Sequence, residues 1–107
     1  MIEKRKHLRL QFGFWIHDKS GKKAWVNEDI SVGGCFLKAM ESMPVGAKID
    51  LVFQLPGSSR YIEATGEVKH VKESGMGIQF VNIGHDEKDE VDRFVQEVYH
   101  FIGKHNL

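Results

Sequence analysis

Hydrophobic and polar residues alternate along most of this chain, which is the pattern of half-buried β-strands. The alternation is clearest over residues 8–17, where every second residue from Leu8 to Ile16 is apolar. Similar runs predict five further strands over about residues 22–28, 35–40, 49–55, 60–72 and 76–81, separated by turns rich in Gly, Pro, Ser or Asp. Gly66 lies inside the longest run, where a glycine indicates a bend or a bulge.

The hydrophobic period changes near the C-terminus. From Val91 to Ile102 the apolar residues follow the i, i+3, i+4, i+7 spacing of one helix face. We predict a helix over residues 86–104, with Asp86 capping its start and Gly103 suiting its C-terminal exit. Six strands and a final helix predict an all-β fold, in which an antiparallel sheet curls into a small barrel and the helix packs on it. The 107 residues are enough for a single domain.

Charge and cysteine content restrict the possible functions. The 15 basic and 15 acidic residues balance, which argues against a large DNA- or RNA-binding surface. Cys35 is the only cysteine, so an internal disulfide is impossible and a reducing compartment is expected. The start of the sequence is polar and charged, so we expect no signal peptide, and no apolar run is long enough to span a bilayer. We therefore expect a cytoplasmic protein without membrane insertion.

The motifs of common enzymes are missing from the sequence. No serine lies in a Gly-x-Ser-x-Gly elbow, and no lysine follows Gly75-Met76-Gly77 at the spacing of a phosphate-binding loop. The six histidines have no metal-ligand spacing and only one cysteine to accompany them. We therefore predict that the chain is not an enzyme, binds no metal ion and needs no cofactor.

Two segments contain charged or polar residues and glycines that a purely structural role does not require. The first, Arg5-Lys6-His7-Leu8-Arg9, places two arginines four residues apart before the first strand. Arginine presents a planar fork of donors that matches a phosphate or the O6/N7 edge of guanine, and it can stack on a base. By itself, such a pair is also typical of a solvated basic terminus.

The second segment is Asp29-Ile30-Ser31-Val32-Gly33-Gly34, between the second and third strands. The Asp29 carboxylate can accept hydrogen bonds from the donor edge of guanine, while Ser31 can bond a phosphate or brace its own turn. Gly33 and Gly34 permit unusual backbone angles and close approach of main-chain N–H groups to an anion. Each residue alone is equally typical of an ordinary turn.

In combination, these segments resemble the two signatures of the PilZ family, RxxxR before the first strand and (D/N)xSxxG between the second and third. The segments Gly66-Glu67-Val68 and 75–80 are also similar to the family's later strands, and the helical tail fits. The resemblance covers nearly the whole chain. It implies a PilZ-type six-stranded antiparallel barrel and a receptor for cyclic di-GMP.

The resemblance also implies which residues bind the ligand. Arg5 and Arg9 would clasp phosphate and guanine from a mobile N-terminal segment, residues 1–9, and Asp29 with Ser31 would hold a guanine. The whole implied set is Lys4, Arg5, Arg9, Asp29, Ser31, Gly33 and Gly34. Lys4 stands where many members have another arginine, which leaves one or two bound ligands open. His70 stands where many members have a tryptophan, and we interpret it as a packing variation.

The leading hypothesis is a receptor or adaptor that changes the order of its N-terminal segment on binding and signals through an unidentified protein partner. One alternative is a ligand-independent protein-interaction module of the same fold. Another is a small nucleic-acid-binding barrel, suggested by Phe12, Phe14 and Trp15, although the two phenylalanines share the apolar face of the first strand. The family's known processes, motility, pili and secreted polysaccharide, are not distinguished by these residues.

Overall fold

The computed structural model describes residues 8–105, which form six antiparallel strands and one helix. The strands close into a barrel in the order β1-β2-β3-β6-β5-β4. Their bounds are β1 Trp15–Asp18, β2 Ala24–Ser31, β3 Gly34–Lys38, β4 Lys48–Gln54, β5 Tyr61–Lys72 and β6 Gly75–Ile83, and the helix α1 covers His85–His105. The predicted six-stranded antiparallel barrel with a C-terminal helix is therefore confirmed.

Alternating residues of the strands fill the barrel. Ile16, Leu51, Phe53, Ile62 and Val68 are each at most 1% exposed. Their neighbours along the strands point outward, as the two-residue period requires. Gly66 lies where the β5–β6 register shifts, which confirms the bulge predicted there.

The first strand is shorter than the alternation predicts. The expected strand over residues 8–17 is regular only over Trp15–Asp18, although Leu10 forms an isolated bridge with Ile30. The reason is Asn27, which lies in β2 with a fully buried side chain. Its Oδ1 accepts from Phe14 N at 2.7 Å and its Nδ2 donates to Phe12 O at 3.0 Å, so a side chain takes the place of a strand partner.

The second strand extends further than its predicted end at Glu28. Residues 29–31, expected in a connection, belong to β2 and pair with β3. A β-bulge between Asn27 and Asp29 shifts the register there and re-aims the side chains that follow. The first half of the second signature is therefore presented by a strand rather than by a loop.

The helix packs against the barrel. Val91 and Val95 are almost fully buried, and the Phe94 ring packs edge-on against Phe12 at 5.7 Å and Phe14 at 6.3 Å. Phe12 and Phe14 are thus packing residues, and the structure does not favour them as a stacking platform for nucleic acid.

The helix ends differ slightly from the prediction. It begins at His85, so Asp86 lies in its first turn instead of capping it, and it continues past Gly103 to His105. An acidic residue in the first turn still favours the positive end of the helix dipole. No helix within residues 8–105 is long and apolar enough to cross a membrane.

Candidate ligand-binding groove

A single row of residues crosses four strands on the outside of the barrel. Asp29 of β2 pairs with Phe36 of β3, Phe36 pairs with Gly77 of β6, and Gly77 pairs with His70 of β5. These four residues line an open groove of about 680 Å³. Three interstrand spacings of about 4.8 Å separate the backbones at the two ends, or roughly 14 Å. The row is long enough to underlie a ligand with two ring systems.

Asp29 stands at one end of the row and makes two contacts through the same oxygen. Its Oδ1 accepts from Arg9 Nη1 at 2.7 Å and from Phe36 N at 3.0 Å. The Asp29 side chain is 20% exposed and that of Arg9 is 38% exposed, so the ion pair stays within reach of a ligand. The structure thereby brings together one residue from each of the two signatures, which are 20 positions apart.

Ser31 is buried and braces the turn between β2 and β3. Its Oγ accepts from Gly33 N at 3.2 Å and contacts Gly34 O at 3.4 Å as a donor. Of the two functions that the sequence allowed for this hydroxyl, the observed contacts are those of the turn. Gly33 and Ser31 both line the groove.

Neither Gly33 nor Gly34 has a positive φ, which corrects the expectation of unusual backbone angles, and Gly34 is required for reasons of space. The positive-φ glycines among the described residues are Gly21, Gly46, Gly57 and Gly75. Gly34 is instead buried against β6, where a Cβ would collide with the carbonyl oxygen of Ile78. Gly34 therefore permits close approach of β3 to β6 beside the groove.

The far side of the groove is formed by β5 and β6 and carries positive charge. Lys69 and Lys72 of β5 line it together with Gln79 of β6. Lys69 Nζ lies 3.1 Å from Glu67 Oε2, while Lys72 Nζ lies 5.6 Å from the centroid of the Phe36 ring. With Arg9 at the opposite rim, the groove offers cations on both sides of an aromatic floor.

That floor is built from Phe36 and His70. The two ring centroids are 6.0 Å apart and the rings are tilted by 31°. The His70 ring occupies the space above Gly77, where any Cβ would collide with it. His70 is exposed while Phe36 is 7% exposed, so the histidine is the outer member of the pair. The sequence-based interpretation of His70 as a packing variation missed its place in the groove.

Cys35 lies beneath this surface and is not placed to act as a nucleophile. The side chain is 1% exposed, and burial, with a further contribution from the Asp29 charge, raises the pKa of its thiol far above the ordinary range. Among the described residues, no three His, Cys, Asp or Glu side chains come together in a group that could hold a metal ion.

The remaining predicted ligand residues, Lys4 and Arg5, lie outside the described residues, as does most of the predicted N-terminal segment. The sequence pattern did not identify five residues that line the groove: Phe36, Lys69, Lys72, Gln79 and His70. Their separation from the signatures along the chain hides them. These residues can be located only from the strand register. The register pairs His70 of β5 with Gly77 of β6, and Gly77 with Phe36 of β3, which itself pairs with Asp29.

The geometry defines a class of protein: an antiparallel barrel that carries a charged groove on its outer surface. Comparison with family models gives a match to the PilZ domain over residues 3–97. The chain therefore belongs to the PilZ domain family. A comparison with curated proteins gave no significant match.

Solved structures share the fold. The Bacillus subtilis inhibitor of motility MotI/DgrA aligns over 92% of this chain and 53% of its own, with a TM-score of 0.82 and 17% identity. Escherichia coli YcgR in complex with c-di-GMP aligns over 96% of this chain and 49% of its own, with a TM-score of 0.71 and 11% identity. The PilZ domain of YcgR with c-di-GMP aligns over 97% and 98%, with a TM-score of 0.69 and 10% identity. The chain thus spans about half the length of MotI and of the longer YcgR structure.

Proposed function

We propose that this chain is a receptor that binds cyclic di-GMP in the groove defined by Asp29, Phe36, Gly77 and His70. The observation that carries the proposal is the Arg9–Asp29 ion pair at the rim of that groove, which joins the two signature segments in space. Membership of the PilZ family supports it, and so do two related structures solved with c-di-GMP.

The chemistry of the ligand matches the groove. Cyclic di-GMP carries two phosphodiester charges and two guanines. Arg9, Lys69 and Lys72 supply cations for the charges. The Asp29 carboxylate can accept from the N1–H and N2–H edge of one guanine through Oδ2, because both of its described contacts use Oδ1. The aromatic floor offers a flat surface to a base.

The family is one of receptors and adaptors. We propose that the ligand draws the N-terminal segment, residues 1–9, across the groove through Arg5 and Arg9, and that this changes the surface seen by a partner. Trypsin tests this step. Cyclic di-GMP should protect the bonds after Lys4, Arg5 and Lys6, and equal cleavage with and without ligand would contradict it.

One observation favours the alternative of a ligand-independent interaction module. Trp15 and Tyr61 are 60% and 66% exposed, on the outer face of the barrel formed by β1, β4 and β5. Exposed aromatic residues are typical of protein-binding surfaces. This module would use those residues and leave the groove empty, so ligand titration distinguishes the two functions.

Isothermal titration calorimetry with cyclic di-GMP tests the proposal. We expect micromolar binding, which corresponds to about 8 kcal/mol. Arg9→Ala should lose about 2 kcal/mol or more, or about 30-fold in affinity. Asp29→Asn should also weaken binding, and it keeps an oxygen for the Phe36 amide. Arg93→Ala, an exposed arginine of α1, is the matched control and should bind like the unmodified chain. Absence of binding by the unmodified chain would refute the proposal.

A further inference from the structure

We infer that His70 makes ligand binding dependent on pH, so that the groove holds a dianionic ligand more tightly near pH 6 than near pH 8. The inference rests on the proposed function, since it concerns the same groove. It extends that function from recognition of a dinucleotide to a response to the acidity of the surroundings.

The position of His70 supplies the first argument. Its ring stands at the opposite end of the cross-strand row from Asp29, and it lines the groove. It is exposed and lies beside the Phe36 ring, with centroids 6.0 Å apart, and the Phe36 side chain is itself buried. A ligand resting on the aromatic floor must therefore cover the histidine ring. A phosphodiester beside an imidazole favours its protonated form, because opposite charges attract.

The space around His70 supplies the second argument. Gly77, the residue paired with it across the strands, leaves room for the ring, and any larger residue there would displace it. The ring is thus accommodated by the space at Gly77 and by its contact with Phe36. A histidine accommodated in this way is placed for contact with a ligand and is not merely a solvated surface residue.

The charged groups around His70 come from its own strand and from the β2 side of the groove. Lys69 and Lys72 share its strand, Arg9 and the acidic residues Glu28 and Asp29 lie on the β2 side, and β3 and β6 contribute the uncharged Phe36 and Gln79. Lysine, arginine, carboxylate and phosphodiester groups as classes ordinarily carry the same charge at pH 6 and at pH 8. Histidine is the side chain that changes charge in this interval, so the pH response is assigned to it.

The test is calorimetry with cyclic di-GMP at pH 6.0 and 8.0 and constant ionic strength. We expect the unmodified chain to bind about fivefold more tightly at pH 6.0, since an adjacent opposite charge commonly favours the protonated form by about one pKa unit. His70→Gln should abolish the difference between the two pH values. His100→Gln, an exposed histidine on α1, should retain it.

A second measurement needs no variant. At pH 7, titrations in buffers with different ionisation enthalpies should show net uptake of protons on binding. Equal affinity at both pH values, or a pH dependence that survives in His70→Gln, would overturn the inference and leave the proposed function intact. Absence of binding at both pH values would overturn the proposed function and this inference together.

Discussion

Asn27 is expected to control both the stability of the barrel and the position of the groove residues. Its side chain is fully buried and makes three hydrogen bonds, from Phe14 N to Oδ1 and from Nδ2 to Phe12 O and Asp29 O. These bonds tie the irregular chain that carries Arg9 to the bulge that precedes Asp29. Replacement by alanine would leave three backbone groups without their partner.

The cost of Asn27→Ala follows from these contacts. A buried backbone group that loses its partner costs about 1–3 kcal/mol. Phe12, Phe14 and Asp29 are only half-buried, so water can reach part of the vacated space and the lower end of the range applies. We therefore expect a loss of about 3 kcal/mol, a large part of the 5–15 kcal/mol typical of a domain.

Urea denaturation of the ligand-free chain measures this cost as a lower midpoint at unchanged slope. Asn82→Ala is the matched control, because Asn82 is exposed on β6, and it should change the free energy of unfolding by less than about 0.5 kcal/mol. A cost below about 1 kcal/mol for Asn27→Ala would refute the argument that this side chain replaces a strand partner.

Three further predictions follow from the packing. Gly34→Ala should destabilise the fold by about 3 kcal/mol in urea denaturation, because its Cβ meets the Ile78 carbonyl oxygen; full stability would contradict this account of the glycine. The Cys35 thiol should react with a disulfide reagent at pH 8 at least about 100-fold more slowly in the folded chain than in denaturant. The free energy of unfolding should also fall above about pH 8.5, because there the thiol ionises only in the unfolded state. Glu90→Ala should lower the free energy of unfolding by about 1 kcal/mol, because Glu90 accepts a hydrogen bond from Ser58 and forms an ion pair with Arg60. Glu97 is exposed, and Glu97→Ala should cause no measurable loss.

The strand pattern was predictable because burial alternates wherever one side of a strand faces the core. Burial still alternates from residue to residue over 10–16, although only Trp15–Asp18 form a regular strand. The interruption was not predictable, because it depends on a tertiary hydrogen bond from Asn27, which in the sequence is an ordinary polar strand residue. The bulge after Asn27 has the same origin, and it explains why Asp29 was expected in a connection.

The candidate site was predictable only in part. Asp29, Ser31 and Gly34 follow one another in a recognisable signature, and Arg9 belongs to a second one. His70 carries no such signal, since it reaches the groove through pairing with Gly77 and then with Phe36 across two strand boundaries. The function of Gly34 was expected to lie in its backbone angles, whereas the structure shows that strand proximity requires it.

The central claim is that the cross-strand row from Asp29 to His70 is the ligand site. Nuclear magnetic resonance titration of ¹⁵N-labelled chain with cyclic di-GMP tests it most directly. We predict that the backbone amide signals of Asp29, Phe36, Gly77 and His70 shift in a saturable way, while the Asp50 amide of β4 does not. Shifts confined to the outer face that carries Trp15 and Tyr61, or no shifts at all, would contradict the account.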